Sequence, residues 1–313
     1  MNFSEIEGLE LPKQVIGKII SDQLFEHSLL FFGPRGIGKS LMANHIAKSL
    51  LVDGSRLHAR ALSEKLFESS QHPDFIVVKA EGETIKIDQI RSAMNFLSTS
   101  PSVGNKKILY VKQIQKMSLE ACNSILKILE EPTPDCTIIL SAEVLEDVPE
   151  TIISRCLVIR FPSLSDEIIR RIYTSKFQLE NTYDLKMLVH LSNGGINKLH
   201  LEKLKELREA YQFCEDFLQS PRQTYLEGTL SKFKQFIDEK IDIHVYQILY
   251  FLFREKLLRH DNPSSSSTPA LFASSKLKYL RCLETILEYS KARENNANKM
   301  FMLNGLFRTC INI

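Results

Sequence analysis

The sequence predicts an α/β domain with a largely parallel sheet, followed by two helical domains. Short apolar runs rich in β-branched residues alternate with helical patterns in the first half of the chain, and this strand signal ends at Phe161-Pro162. Beyond that point the pattern is helical. We expect the α/β domain at 1–164, a small helical domain at 165–204 and a helical C-terminal domain at 205–313. A chain of 313 residues, 43% of them hydrophobic, is long and apolar enough to bury these cores.

Each predicted element has its own local signal. The strands are apolar runs bounded by turn residues, at 29–32, 75–78, 108–111, 137–140 and 157–161. Helical periodicity predicts helices at 41–51, 84–97 and 118–131, and the last of these begins at an N-cap, Ser118, and is stopped by Pro132. Short helices around a turn at 193–195 follow the last strand. The Ser-rich stretch 261–269 is predicted to be a mobile loop.

The first strand leads directly into the pattern G-x-x-x-x-G-K-[S/T]. Its residues are Gly33, Pro34, Arg35, Gly36, Ile37, Gly38, Lys39 and Ser40. Glycines let backbone N–H groups curl around phosphate oxygens, and the start of the next helix adds its dipole. Lys39 would reach the outer phosphates and Ser40 would ligate Mg²⁺. The motif predicts a phosphate-binding loop (P-loop) for ATP with Mg²⁺, and it leaves the affinity for nucleotide open.

An ATPase of this kind also needs an acidic site on a neighbouring strand. An Asp there holds Mg²⁺, and a Glu beside it polarises the attacking water. The candidate strand, 108–111, is followed by Lys112 and Gln113, neither of which can do this chemistry. The sequence therefore predicts a degenerate acidic site with little or no ATP hydrolysis. Two alternatives stay open: a self-sufficient ATPase whose acid comes from elsewhere, and an interaction module with a vestigial nucleotide site.

Charge and cysteine content limit the kinds of binding partner and the cellular compartment that we expect for this protein. A formal net charge of +2 gives no polyelectrolyte signature, so contact with nucleic acid needs local groups such as Lys106 and Lys107 or other subunits. The 6 cysteines show no C-x-x-C spacing, which is typical of reduced thiols and implies no zinc site. The longest apolar run, 248–253, is too short to cross a bilayer. We expect a cytoplasmic protein without a membrane partner.

Several further motifs occur in a fixed order between residues 25 and 165. They are His72-Pro73-Asp74 before a strand, I-D-Q-I-R at 87–91, C-N-S-I-L-K-I-L-E-E-P at 122–132 and S-R-C at 154–156. This series resembles the bacterial DNA polymerase III clamp loader family of AAA+ proteins, which carries N-A-L-L-K-x-L-E-E-P followed by S-R-C. Within that family the chain is most similar to the delta-prime subunits.

The resemblance implies roles for the domains and for two basic residues. Residues 1–164 would be the AAA+ nucleotide-binding domain, 165–204 its lid, and 205–313 a collar that assembles with other clamp loader subunits. The assembly would act on the sliding clamp and primed DNA. Arg155 of S-R-C would be an arginine finger that acts in trans. Lys198 stands where active members place a sensor arginine, although a solvated lysine is an equal alternative. Many members insert a four-cysteine zinc module, but 51–74 has no cysteine, so zinc is not expected.

Overall fold

The chain forms two compact units. The computed structural model describes residues 6–21, 28–53, 57–132, 135–226, 229–260, 269–294 and 298–311. One unit comprises Met1–Ile172 together with Gly194–Ile196, and the other comprises Tyr173–Asn193 and Asn197–Ile313. Most of the predicted loop at 261–269 lies outside the described residues, and Pro269 begins a helix.

The first unit is built on a sheet of five parallel strands. The strands are β1 (Ser28–Phe32), β2 (Phe75–Val78), β3 (Lys107–Val111), β4 (Cys136–Ala142) and β5 (Cys156–Arg160). Their order across the sheet is β2-β3-β4-β1-β5, and every neighbouring pair is parallel. The predicted fold class and all five predicted strands are confirmed. The main difference is β4, which continues to Ala142 because Ser141 and Ala142 pair with Phe31 and Phe32.

Helices cover this sheet, and several of them match the predicted segments. They are α1 (Glu10–Ser21), α2 (Lys39–Lys48), α3 (Leu57–Glu68), α4 (Ile87–Leu97), α5 (Leu119–Glu130) and α6 (Glu150–Ile153), with a π-helical turn at Ser49–Asp53 and a 3₁₀ turn at Ile114–Lys116. The next helix, α7 (Asp166–Phe177), begins in this unit and ends in the second. The predicted N-cap is confirmed, because the Ser118 hydroxyl accepts the backbone N–H of Ala121 at 3.3 Å. Apolar side chains of α4 and α5 pack with β3 and β4 in one buried core.

The His72-Pro73-Asp74 motif has a structural role. The His72 ring accepts the backbone N–H of Asp74 through Nδ1 at 3.1 Å, so its Nε2 donates to Ser63 at 2.9 Å. The Ser63 hydroxyl in turn donates to the Leu51 carbonyl. The Asp74 carboxylate accepts three backbone N–H groups from 102–104, at 2.7, 2.8 and 3.0 Å. These buried side chains fix the loop before β3 and offer no free nucleophile.

The second unit is helical, as the sequence predicts. Its helices are α8 (Thr182–Ser192), α9 (Lys198–Glu202), α10 (Leu204–Gln219), α11 (Pro221–Leu226), α12 (Thr229–Asp238), α13 (Asp242–His260), α14 (Pro269–Glu294) and α15 (Lys299–Cys310). Its core contains a cluster of phenylalanine rings: Phe213, Phe217, Phe233, Phe236 and Phe307. Within the described ranges, no helix combines the length and apolar character needed to cross a membrane.

Candidate functional site

The glycine-rich motif forms a loop between β1 and α2. Gly33, Gly36 and Gly38 have φ values of 147°, 78° and 108°, a region that side chains disfavour. Gly38 is the N-cap of α2, so Lys39 and Ser40 occupy the first turn of that helix. The sequence thus places a helix N-terminus, with its unpaired N–H groups and partial positive charge, at the carboxyl end of β1, an interior strand of the sheet.

Backbone from distant parts of the chain packs against the outside of this loop. A Cβ at Gly33 would lie 2.1 Å from the carbonyl oxygen of Phe161. A Cβ at Gly36 would lie 2.1 Å from the Ile196 oxygen, and one at Gly195 would lie 2.0 Å from the Arg35 oxygen. The Ile196 N–H also donates to the Gly36 carbonyl at 3.0 Å. We refer to this contact of 35–36 with 195–196 as the glycine contact; it leaves no room for side chains at either glycine.

The Lys39 ammonium points back into the loop. It donates to the carbonyl oxygens of Gly33 and Pro34, the second at 2.7 Å. Burial lowers the pKa of Lys39 to about 8, although the Glu143 carboxylate opposes the shift. A phosphate group would provide a charged acceptor in place of the two carbonyls. Of the other motif residues, Ile37 is buried and Arg35 is exposed.

A row of three hydroxyl groups connects the P-loop to strands β3 and β4. Ser40 Oγ lies 3.0 Å from the hydroxyl of Tyr110 on β3, and that hydroxyl lies 3.2 Å from Oγ of Ser141 on β4. Tyr110 is completely buried, and burial raises its pKa. The sequence analysis missed Tyr110 and Ser141. The available signal was spacing, because Tyr110 precedes Lys112 by two residues and therefore shares its face of the strand.

Lys112 and Gln113 lie at the carboxyl end of β3. The Lys112 Nζ lies 5.5 Å from the centre of the Tyr110 ring, on the face of the sheet that carries the P-loop helix. Burial, then the nearby charge of Lys79, lowers the pKa of Lys112. Gln113 has a left-handed backbone with φ of 54°, and its Nε2 donates to Glu143 Oε1 at 2.6 Å. Glu143 follows β4 and is a third residue that the sequence analysis missed, after Tyr110 and Ser141.

These groups do not match the ligands that Mg²⁺ prefers. Mg²⁺ takes oxygen ligands, commonly one or two carboxylates together with substrate phosphates. Here the Ser40 hydroxyl is paired with Tyr110, an ammonium replaces the strand carboxylate, and the Glu143 carboxylate is bound by an amide. Among the described residues, no group of three or more His, Cys, Asp or Glu side chains is placed to hold a metal ion.

Arg155 lies at the amino-terminal ends of the strands, whereas the P-loop lies at their carboxyl-terminal ends. In the parallel pairing of β1 with β5, Ser28 is opposite Cys156, so Arg155 precedes the amino end of β5. The P-loop leaves the carboxyl end of β1, about 15 Å away along a five-residue strand. Arg155 Nε and Nη2 bind Oε1 of Glu130 at 3.1 and 2.8 Å, and its Nη1 donates to the Thr151 carbonyl. Arg155 therefore cannot serve the P-loop of its own chain.

Two other basic residues named by the sequence have different positions. Lys198 is the exposed first residue of α9 in the second unit, and its sensor role stays a prediction. Contact of Lys107 with a nucleic-acid backbone is ruled out. Lys107 is buried, and its ammonium donates to the Phe96 carbonyl at 2.7 Å and to the Thr99 hydroxyl. Its Nζ also lies 4.5 Å from the centre of the Phe96 ring on α4, while the adjacent Lys106 is half-buried.

Comparison with known proteins identifies the family. A family profile described as "DNA polymerase III, delta subunit" matches residues 10–165, which include the P-loop, Lys112 and Arg155. DNA polymerase III subunit delta' of Bacillus subtilis (strain 168) is 30% identical over 214 residues, covering 67% of this chain and 64% of that protein. The chain belongs to the bacterial DNA polymerase III clamp loader family. This clamp loader family member thus spans less than two thirds of the length of that relative.

Other members of the clamp loader family match more of the chain at lower identity. DNA polymerase III subunit tau of the same organism is 25% identical over 238 residues, covering 74% of this chain and 41% of the relative. A solved structure of a gamma subunit-related protein from Thermotoga maritima aligns over 97% of this chain and 98% of that one, with a TM-score of 0.51 and 19% identity. At this identity, the structural match supports the fold alone.

Proposed function

We propose that this clamp loader family member is a delta-prime-like subunit. In this role it assembles with other clamp loader subunits in the cytoplasm and helps to place the sliding clamp on primed DNA. It binds nucleotide at the P-loop without hydrolysing it, and it presents Arg155 to the nucleotide of a neighbouring subunit. Residues 165–204 act as the lid and 205–313 as the collar. The observation that carries the proposal is the pair Lys112 and Gln113 at the carboxyl end of β3.

The absence of hydrolysis follows from the chemistry of that pair. Hydrolysis needs a cation that bridges the outer phosphates and a group that orients the attacking water. Lys112 supplies an ammonium where the metal-binding acid belongs, and Gln113 is occupied by its hydrogen bond to Glu143. The P-loop itself retains the glycines, Lys39 and the helix N-terminus that bind phosphate.

The position of Arg155 supports an action outside its own chain. It lies at the sheet edge remote from its own P-loop, with its side chain about one third exposed. Glu130 and the Thr151 carbonyl hold the guanidinium in one orientation. A pre-oriented planar group with several donors can neutralise the charge that develops on transferring phosphoryl oxygens.

Among the residues that the structure describes, Glu143 gives specific support to the alternative of a self-sufficient ATPase. This carboxylate follows the neighbouring strand and lies close enough to Lys39 to influence its pKa. It is also bound by Gln113, which restrains it as a metal ligand or a base. Steady-state turnover on the purified chain separates the candidates. We expect tight ATP binding with turnover near background, whereas turnover of about 1 s⁻¹ that is lost in Glu143→Gln would establish the ATPase. If the chain shows no ATP binding and no turnover, the nucleotide site is vestigial.

The role of Arg155 is tested in the reconstituted clamp loader with clamp and primed DNA. Arg155→Ala should leave the subunit folded and incorporated, and should reduce hydrolysis at the one neighbouring site by up to about 10³-fold. Bulk hydrolysis falls partially, because other sites still turn over, and clamp loading falls more steeply. Arg155→Lys should rescue poorly, because an ammonium lacks the planar array of donors.

Arg91→Ala is the matched control for this substitution. Arg91 is a more exposed arginine of the first unit, and like Arg155 it is paired with a carboxylate, that of Asp88 at 3.6 Å. We expect this variant to behave like the wild type in both assays. Equal hydrolysis and clamp loading in the Arg155→Ala and Arg91→Ala assemblies would rule out the trans-acting role.

A further inference from the structure

The P-loop site contains its own fixed positive charge. We propose that this chain binds a nucleoside di- or triphosphate without a divalent cation, with the Lys112 ammonium in place of the metal. The inference rests on the proposed function, because it takes the P-loop as the nucleotide site. It goes further by stating the ionic form of the ligand and the residue that determines it.

The first observation is the placement of Lys112. Tyr110 and Lys112 project from the same face of β3, and the Tyr110 hydroxyl reaches Ser40, the motif residue that would ligate Mg²⁺. The ammonium lies over the Tyr110 ring and is half-buried, which limits screening by water. A divalent cation beside Ser40 would face this charge, and the two would repel each other. A phosphate oxygen would be attracted by it.

The second observation is the balance of charge around the loop. Four charged groups act on one another in pairs at this edge: Lys39 with the Glu143 carboxylate, and Lys112 with Lys79. Glu143 is partly neutralised by Lys39 and hydrogen-bonded to Gln113. These three ammonium groups and one carboxylate together carry a net positive charge before any metal binds. A polyphosphate, which normally needs Mg²⁺ to offset its charge, meets that compensation in the protein.

The third observation concerns the hydroxyl that would coordinate the ion. Ser40 belongs to the row of hydroxyls with Tyr110 and Ser141, at 3.0 and 3.2 Å. Tyr110 is completely buried, so a Ser40 hydroxyl that turned to a metal would leave the phenol with one fewer partner in a dry environment. Coordination of Mg²⁺ by Ser40 thus has a cost, and binding of phosphate by the loop N–H groups leaves the row of hydroxyls intact.

The test is isothermal titration calorimetry of ADP and ATP into the full chain, in EDTA and in excess Mg²⁺. For the wild type we expect the dissociation constants in the two buffers to agree within about twofold, or binding to be tighter in EDTA than in Mg²⁺. Lys112→Asp should weaken binding in EDTA by at least about tenfold and should make the affinity depend on Mg²⁺, since it restores the strand carboxylate. Lys112→Met, which keeps the apolar stem, should weaken binding in EDTA without gaining a response to Mg²⁺. It also serves as a second variant if Lys112→Asp does not fold.

A charge change elsewhere in the first unit provides the control. Lys127 is exposed on α5, and Lys127→Glu should leave both affinities unchanged. Wild-type binding that is at least about tenfold tighter with Mg²⁺ overturns the inference while leaving the nucleotide site intact. Absence of binding in both buffers overturns it together with the nucleotide-holding part of the proposed function. The assembly role and Arg155 are tested separately in the reconstituted clamp loader.

Discussion

Two glycines with opposite surroundings show how a single residue decides the geometry of the P-loop. At Gly195 a Cβ would lie 2.0 Å from the Arg35 carbonyl oxygen, a distance at which the backbone must move. At Gly17, inside α1, a Cβ would have no heavy atom within 4 Å, apart from its own helix backbone and chain neighbours. The same added methyl group is therefore excluded at one position and accommodated at the other.

We expect Gly195→Ala to destabilise the first unit by about 1–3 kcal/mol, because the glycine contact must open. Gly17→Ala should stabilise it by about 0.5–1 kcal/mol, because alanine is the better helix former. Urea denaturation measures both changes. Amide hydrogen exchange at Ile196, which donates to Gly36, should speed up in Gly195→Ala alone. Unchanged exchange at Ile196 would contradict the proposed opening.

At the scale of elements, Asp74 links β2 to the loop that precedes β3. Burial disfavours its charge, but three backbone N–H donors outweigh this effect and hold the pKa of Asp74 below its ordinary value. The strand β3 begins at Lys107, a few residues after this loop, and carries Tyr110 and Lys112 to the site. The carboxylate thus helps to fix the position at which β3 begins, and with it the positions of Tyr110 and Lys112.

Asp74→Asn should lower the unfolding free energy of the first unit by about 1–3 kcal/mol at neutral pH, because an amide accepts fewer of the three hydrogen bonds. A depressed folded-state pKa stabilises the fold above the unfolded value of about 3.9, and this contribution is lost as pH falls through the lower folded value. The difference between the wild type and Asp74→Asn should therefore shrink below about pH 4. Asp147→Asn, at an exposed turn, should change stability by less than about 0.5 kcal/mol. Equal effects of the two substitutions would contradict this account.

The sequence predicted elements better than contacts between them. Runs such as 108–111 are strands because apolar residues are buried on both faces of a parallel sheet, and that signal is local. The pairing of Ser40 with Tyr110, 70 positions apart, depends on strand order, which periodicity does not encode. The turn at 193–195 was predicted, but the approach of Gly195 to Arg35 was not, because no local pattern encodes that contact. The role of Lys112 could be predicted from the sequence, because P-loop ATPases have a carboxylate at that position after the strand.

At the scale of the whole molecule, the chain divides into two units with separate cores. The first unit is a sheet covered by helices, and the second is organised around packed phenylalanine rings. The ligand-binding groups discussed above, except Lys198, lie in the first unit. Units with separate cores generally unfold as separate cooperative transitions.

We therefore expect two transitions in differential scanning calorimetry. ADP should raise the transition temperature of the first unit only. At an ADP concentration 100 times its dissociation constant, the first unit should be stabilised by about 2.7 kcal/mol. Lys39→Ala should abolish this shift without lowering the transition in the absence of ligand, because the Lys39 ammonium binds loop carbonyls and does not fill the core. A single transition, or an equal shift of both, would contradict independent units.

The glycine contact also imposes an order on folding during synthesis. The five strands have all left the ribosome once Arg160 emerges, yet Ile196, which donates to Gly36, follows about 36 residues later. At bacterial elongation rates of about 5–20 residues per second, this is a delay of roughly 2–7 s. The nascent sheet can form in that interval, but the P-loop lacks its outer backbone partner. A translational pause between these two positions would prolong the lifetime of an immature site on a folded sheet.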